Sequence, residues 1–272
     1  MNIEKIVTEY KQKGFSVIKE LISPHDANKL VEIAKRYGSG ITNENITYFC
    51  NTVRFFDPRA YKHIYKPITL QLYQDSYFLT SQTHKPKFKS LIGALGFQGF
   101  RSISRIDSYV SYKSDKNIVE WHCDQAFGGA THPSEFFGGT SGIMPLNNVN
   151  RLFIHATDVE YQNGCFAYIP YSHEINIAIR KLINSGVVTY KPIFLLQDAV
   201  NLVKEEYYNE LMKFCSKKSI EGFIQNAEEA MVSDENFILK CKAGDAILFN
   251  DLGYHKGTAP QKSDRVVFRY NY

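Results

Sequence analysis

The chain has 272 residues, 44% hydrophobic and 22% charged, with a formal net charge of +4. That is enough for one large domain with a real core and is an ordinary globular composition, not a disordered or fibrous one. No apolar run approaches the roughly 18 residues that span a bilayer, basic residues are dispersed rather than gathered into a nucleic-acid-binding stripe, and five scattered cysteines without a C-x-x-C pair exclude a disulfide framework or zinc ribbon.

The N-terminus, MNIEKIVTEYKQKGF, is charged throughout and lacks an apolar signal core, so a cytoplasmic protein is expected. Ile3, Ile6, Val7 and Tyr10 fall at helical spacing and Gly14 stops the run. Phe15 to Ile18 reads as a short strand. Ser23 is then an N-cap with Pro24 at the first helical position, and Leu30, Ile33, Ala34 and Tyr37 form the buried stripe of a second helix.

From about Arg101 the texture changes to strands. SYVSYKS, EWHCDQ, RLFIHATDV, CFAYIP, FILKCKA, DAILFN and RVVFRYNY are short, β-branched or aromatic, and separated by Gly, Asn and Pro. Residues 1–272 therefore read as one domain: a helical and strand-containing part over 1–100, then a β-core over 101–272. Its expected class is mainly β with flanking helices, a jelly roll or related barrel, with a helical insertion at about 195–231. Phe127 to Asn150 reads as a long loop, which in a compact domain is usually functional or disordered.

Within EWHCDQ, His122 and Asp124 stand two apart on a strand and so point to one face. His255 follows about 130 residues later in GDAILFNDLGYHKGTAPQKSDRVVFRYNY, just past a strand and before a final strand with Arg265 and Arg269. Two histidines and one carboxylate on one face leave the opposite positions of a metal open, the facial arrangement of non-haem iron(II) oxygenases. An isolated His-x-Asp is close to chance expectation; the conjunction with a distal His and a basic residue beyond it is what raises the reading.

Four segments then resemble the phytanoyl-CoA dioxygenase family of iron(II)- and 2-oxoglutarate-dependent oxygenases, in the family's order: GFSVIKELISPHDANKL, WHCDQ, NGCFAYIPYSH and GDAILFNDLGYHKGTAPQKSDR. The sequence departs from the pattern at Tyr171, where the family usually has Gly, and over Gln125 to Asn150. The resemblance implies a double-stranded β-helix core with iron held at its mouth by His122, Asp124 and His255, which are the expected catalytic centre. It implies 2-oxoglutarate and O2 as cosubstrates, and hydroxylation of an unactivated C–H bond with release of succinate and CO2.

The far carboxylate of 2-oxoglutarate calls for a guanidinium fork. Arg265 is favoured and Arg269 is second; both share a face by parity, so the sequence does not separate them. Thr258, Tyr109 and Ser111 are further candidates for the cosubstrate, and Phe127, Phe137 and Tyr112 for the substrate. Phe136 and Met144 could line the same pocket. His155 and His173 are read as structural or as supports behind the ligands, because three protein ligands suffice, and alternation turns Cys123 away from the metal. The expected partner is a small polar metabolite or biosynthetic intermediate, with neither nucleic acid nor membrane; oligomeric state is left open. Rival readings are a desaturase, epimerase or cyclase of the same family, a non-enzymatic metal and 2-oxoglutarate sensor, and a cupin-like protein using another metal.

Overall fold

The computed structural model describes residues 1–38, 50–55, 69–96, 106–123, 150–189 and 195–271. Helix α1 (Ile3–Lys13) is capped by the Asn2 side chain and ends at Gly14, whose left-handed backbone lets the chain turn into β1 (Phe15–Ile18). Helix α2 (Pro24–Gly38) starts on Ser23, whose hydroxyl accepts the Asp26 N–H at 3.1 Å. Leu30, Ile33 and Ala34 are buried as the stripe predicts. Three elements in the 43–100 region carried no expectation: β2 (Cys50–Phe55), α3 (Leu70–Ser81) and α4 (Pro86–Ala94).

The remaining strands are β3 (Ile106–Ser111), β4 (Val119–His122), β5 (Asn150–His155), β6 (Phe166–Tyr168), β7 (Ile238–Leu239), β8 (Ala246–Asn250), β9 (His255–Gly257) and β10 (Arg265–Asn271). They form two antiparallel sheets, one ordered β1-β8-β5-β10-β3-β2 and the other β4-β9-β6-β7. Alternation sorts their side chains. Leu152, Ile154, Ala246, Leu248 and Phe268 pack outward with Leu30 and Ile33 of α2 and Phe88 of α4. Phe166 and Tyr168 of the smaller sheet meet Ile247 and Phe249 of the larger across the interior. Each fully buried side chain of this size contributes about 1.5–3 kcal/mol.

The helical insertion is present and larger than expected. It begins upstream with α5 (Ser172–Asn184) and continues through α6 (Leu196–Asn201), a π-helical turn at Leu202–Glu206, α7 (Tyr208–Leu211) and α8 (Lys217–Val232). These helices bury Ile175, Ile179, Leu182, Ile220 and Phe223 against Ala167 and Tyr254, on the side of the smaller sheet away from the barrel interior. The architecture is the mainly β, jelly-roll-type core with flanking helices that the strand pattern implies. Among the described residues, no helix is long and apolar enough to cross a membrane.

Candidate active site

His122 ends β4 and His255 opens β9, and the register pairs them directly. Their ring centroids lie 4.2 Å apart. The Nδ1 of His122 is 2.7 Å from the carbonyl oxygen of Glu120, and the Nδ1 of His255 is 2.9 Å from that of Gly253. A carbonyl only accepts, so each Nδ1 carries the proton and each Nε2 carries the lone pair, the tautomer a metal-ligating histidine needs. His255 is 5% exposed, with Phe166 and Phe249 each at 5.4 Å between ring centroids.

The turn before His255 is built to hold it. Asn176 of α5 donates to the Leu252 carbonyl at 2.5 Å, and the Tyr254 N–H donates to Ser172 Oγ at 2.8 Å. At Gly253 a Cβ would stand 1.8 Å from the Tyr168 hydroxyl, which is itself bonded to the Asn250 carbonyl at 3.0 Å. Only glycine fits there.

Between the sheets lies a cavity of about 220 Å³, walled by His122, His255, Tyr109, Phe153, Phe166, Phe249, Arg265 and Arg269 among others. As walled by the described residues, it is smaller than the roughly 300 Å³ at which drug-sized pockets begin, and suits a small acid. Ser111, Ile118, Gly257 and Val267 complete much of its lining.

The two arginines occupy different ends of β10, four residues and so about 13 Å apart. Arg269 donates from Nε and Nη2 to Asp107 Oδ2 at 3.3 and 2.9 Å, and its guanidinium lies 5.1 Å from the Tyr109 ring centroid. Burial opposes its charge, but Tyr109 and Asp107 together raise its pKa above the ordinary value. Arg265 is 6% exposed and sits beside Ser111 in the β10–β3 register. Its stem lies against Gly164, where a Cβ would come within 3.0 Å of Arg265 Cδ and where φ is +73°. The preceding Asn163 takes the Ser263 and Lys262 N–H groups on its side-chain oxygen at 3.0 and 3.2 Å, fixing the turn that delivers Arg265. The Asn-Gly pair of the third motif thus positions this arginine, a role that spacing alone does not reveal.

Thr258 is buried and its hydroxyl donates to the Cys165 carbonyl at 3.1 Å. Tyr112 lies one residue past β3, 41% exposed and away from the cavity lining described above. Trp121 and Cys123 pack against the helical cluster, on the face opposite His122. Tyr171 keeps the left-handed conformation (φ +67°) that glycine adopts more cheaply, so the turn before α5 retains its shape with a larger residue. Asp124, Phe127, Phe136, Phe137 and Met144 lie outside the described residues. Among the described residues, no cluster of three His, Cys, Asp or Glu side chains suited to a metal occurs.

Not anticipated from the sequence are Asp107 as the partner of Arg269, the aromatic brace of Phe166 and Phe249, and Ser172. Parity along IDSYVS puts Asp107 on the face of Tyr109 and Ser111, a usable signal; Ser172 is marked only by lying in the segment NGCFAYIPYSH, which does not give its role.

The profile of the phytanoyl-CoA dioxygenase (PhyH) family matches residues 10–266. No curated protein sequence gives a significant match. Among solved structures, the chain is similar to the non-heme alpha ketoglutarate dependent epimerase SnoN from nogalamycin biosynthesis (10% identity, TM-score 0.54, 99% of this chain and 81% of that one). It is likewise similar to the carbocyclase SnoK of the same biosynthesis (14%, 0.55, 99% and 83%). A third is HygX from Streptomyces hygroscopicus with nickel and 2-oxoglutarate bound (11%, 0.51, 98% and 85%). At these identities the likeness establishes a shared fold.

Proposed function

The chain belongs to the phytanoyl-CoA dioxygenase family, whose members are iron(II)- and 2-oxoglutarate-dependent oxygenases, and we propose that it hydroxylates an unactivated C–H bond of a small metabolite or biosynthetic intermediate. O2 and 2-oxoglutarate would be consumed, and succinate and CO2 released. The observation that carries this reading is the facing pair of imidazoles, each with its Nδ1 tied to a backbone carbonyl. That donor set fits iron: His122 and His255 would supply two nitrogen ligands, and Asp124, two residues beyond His122 in the sequence, would supply the carboxylate of a facial triad.

When bound, iron and 2-oxoglutarate together supply the oxidising power, and the protein supplies binding and orientation. Arg265, buried in the cavity wall, is the proposed holder of the far carboxylate, with Ser111 opposite it in register and Thr258 as a further proposed contact. Arg269 is already engaged by Asp107 and ranks second. Tyr109, Phe153 and Phe249 line the space between and keep water from it. Phe127 and Phe137 are the proposed substrate contacts; Tyr112, expected there from the sequence, lies away from the cavity lining and is dropped from that role. HygX, with hygromycin B bound in one structure, and SnoN, with nogalamycin RO bound in another, support a small-molecule substrate here.

The barrel alone does not choose the outcome, since the similar folds include an epimerase and a carbocyclase. Placement of the target carbon decides it, and a product heavier by one oxygen marks hydroxylation. The first test is the visible spectrum of the metal-free protein after anaerobic addition of Fe(II) and 2-oxoglutarate. A weak charge-transfer band that needs both additions and disappears in His122→Ala is expected. Metal binding with 2-oxoglutarate ignored would overturn the oxygenase reading.

A further inference from the structure

His155 ends β5 and is fully buried, yet neither ring nitrogen has a hydrogen-bond partner among the described residues. Buried polar side chains are ordinarily satisfied, so such a group asks for an explanation. Register supplies the direction in which it points. His155 stands opposite Val267 on β10 and shares the inward face with Phe153, two residues earlier. Val267, Phe153 and Arg265 all line the cavity. Arg265 is the diagonal neighbour of His155, a relation of about 7–8 Å that long side chains readily close.

On the other flank of Arg265, directly opposite in register, stands Ser111. Its hydroxyl is also buried in the cavity wall without a hydrogen-bond partner among the described residues. The nearest acidic group to His155 in sequence register, Asp245, is engaged elsewhere: its carboxylate accepts from Lys19, from the Glu20 N–H and from the Lys242 N–H. Burial first, then the Arg265 guanidinium and Lys19, push the His155 pKa well below the ordinary value, so the ring is neutral. A neutral imidazole still carries one N–H to donate.

We infer that His155 is a further contact for the far carboxylate of the 2-oxoacid, so that Arg265 on β10 is flanked by a donor from each neighbouring strand, Ser111 on β3 and His155 on β5. This inference rests on the oxygenase reading above. An acid anchored on Arg265 fills the unmet hydrogen-bonding capacity on both sides of it. An uncharged chain end at the same place leaves both donors unmet. His155 is therefore a specificity residue for a dicarboxylate, separate from the iron ligands.

The test is anaerobic titration of the Fe(II)-loaded protein, followed by the visible band, with 2-oxoglutarate and with 2-oxopentanoate, which has the same chain without the far carboxylate. His155→Leu is expected to weaken 2-oxoglutarate binding roughly 10- to 100-fold, the worth of one hydrogen bond to a charged group. Binding of 2-oxopentanoate should stay nearly unchanged. His155→Gln, which keeps a donor, should recover most of the 2-oxoglutarate affinity. Equal losses for both acids would reduce His155 to a packing residue and overturn the inference, as would an unchanged 2-oxoglutarate affinity. If the wild-type protein gives no band with 2-oxoglutarate, the oxygenase reading itself has failed. A wild-type band with a normal His155→Leu titration sinks this inference alone. Should the Leu variant not fold, the His155 ring signals of the zinc-loaded wild-type protein decide. They must shift with 2-oxoglutarate and not with 2-oxopentanoate.

Discussion

In the larger sheet, β10 pairs with β3 over six positions and with β5 over five, and helices α2 and α4 cover the outer face. The smaller sheet, which carries both histidines, has strands of two to four residues and a register shift between Val119 and His122. A ladder this short cannot by itself hold two rings to the tolerance a metal demands. Its precision comes from outside: the Ser172 and Asn176 side chains of α5 grip the turn before His255, and Phe166 and Phe249 brace its ring. The thick sheet thus positions its arginines by register, and the thin one positions its histidines by splinting.

The sharpest way to break that division is at the two ends of β10. Arg269→Leu leaves the buried Asp107 without this cation, and a loss of about 3–5 kcal/mol in urea unfolding is expected. Arg265→Leu should weaken 2-oxoglutarate binding about 100-fold or more in the anaerobic titration, where Arg269→Leu should weaken it far less. Matching effects from the two variants would mean that the ends are not specialised. Gly253→Ala probes the splint next. Its Cβ meets the tip of a fully buried tyrosine, and overpacking of this kind costs about 1–3 kcal/mol. Iron affinity should fall with it, because the Gly253 carbonyl holds the His255 ring.

Ser172→Ala removes the acceptor of the buried Tyr254 N–H, and a loss of roughly 1–2 kcal/mol is expected by thermal or urea unfolding. If iron affinity survived that change intact, α5 would not be the splint. The smallest effect is a pH slope. Burial holds His155 and His173 below the usual histidine pKa in the folded protein. The unfolded chain therefore binds more protons below about pH 6.5, so stability falls as pH drops from there towards the folded values. Each group adds at most about 1.4 kcal/mol per pH unit, and His155→Leu should flatten the slope of unfolding free energy between pH 6.5 and 5 by one group's share.

Local signals were legible in the sequence wherever the chemistry is local. Gly14 and the Ser23–Pro24 start mark helix ends by backbone conformation and side-chain capping, which no distant residue has to assist. Alternation likewise put Arg265 and Arg269 on one face, and both line the cavity together with Tyr109 and Ser111 of β3, while Tyr112 does not. What it could not give is which inward group is already taken. Arg269 and Asp107 are 162 positions apart in the chain, and only the β10–β3 register brings them together. Helix α5 has a clear amphipathic stripe of Ile175, Ala178, Ile179, Leu182 and Ile183, but it went unread because SHEINIAIRKLIN follows close on the strand motif CFAYIP and reads on from it. The expected strand FILKCKA shrinks to Ile238–Leu239, since a 3₁₀ turn occupies Glu235–Phe237 and Cys241 makes only an isolated bridge to Val159.

The junction of α1 and β1 reaches across the whole chain. The Gly14 carbonyl accepts the Asn250 N–H at 2.9 Å, the Lys13 carbonyl accepts that of Tyr171 at 3.2 Å, and among the described strands β1 pairs with β8 alone. On a ribosome the first of these partners to be made waits for the last. About 230 residues separate β1 from β8, which at 5–20 residues per second is a delay on the order of 10–50 s. Throughout that interval Ile6 and Tyr10 have no completed sheet to cover. Maturation of this barrel is therefore a clasp that closes late, and the strand made well before its partner is the one that seals it.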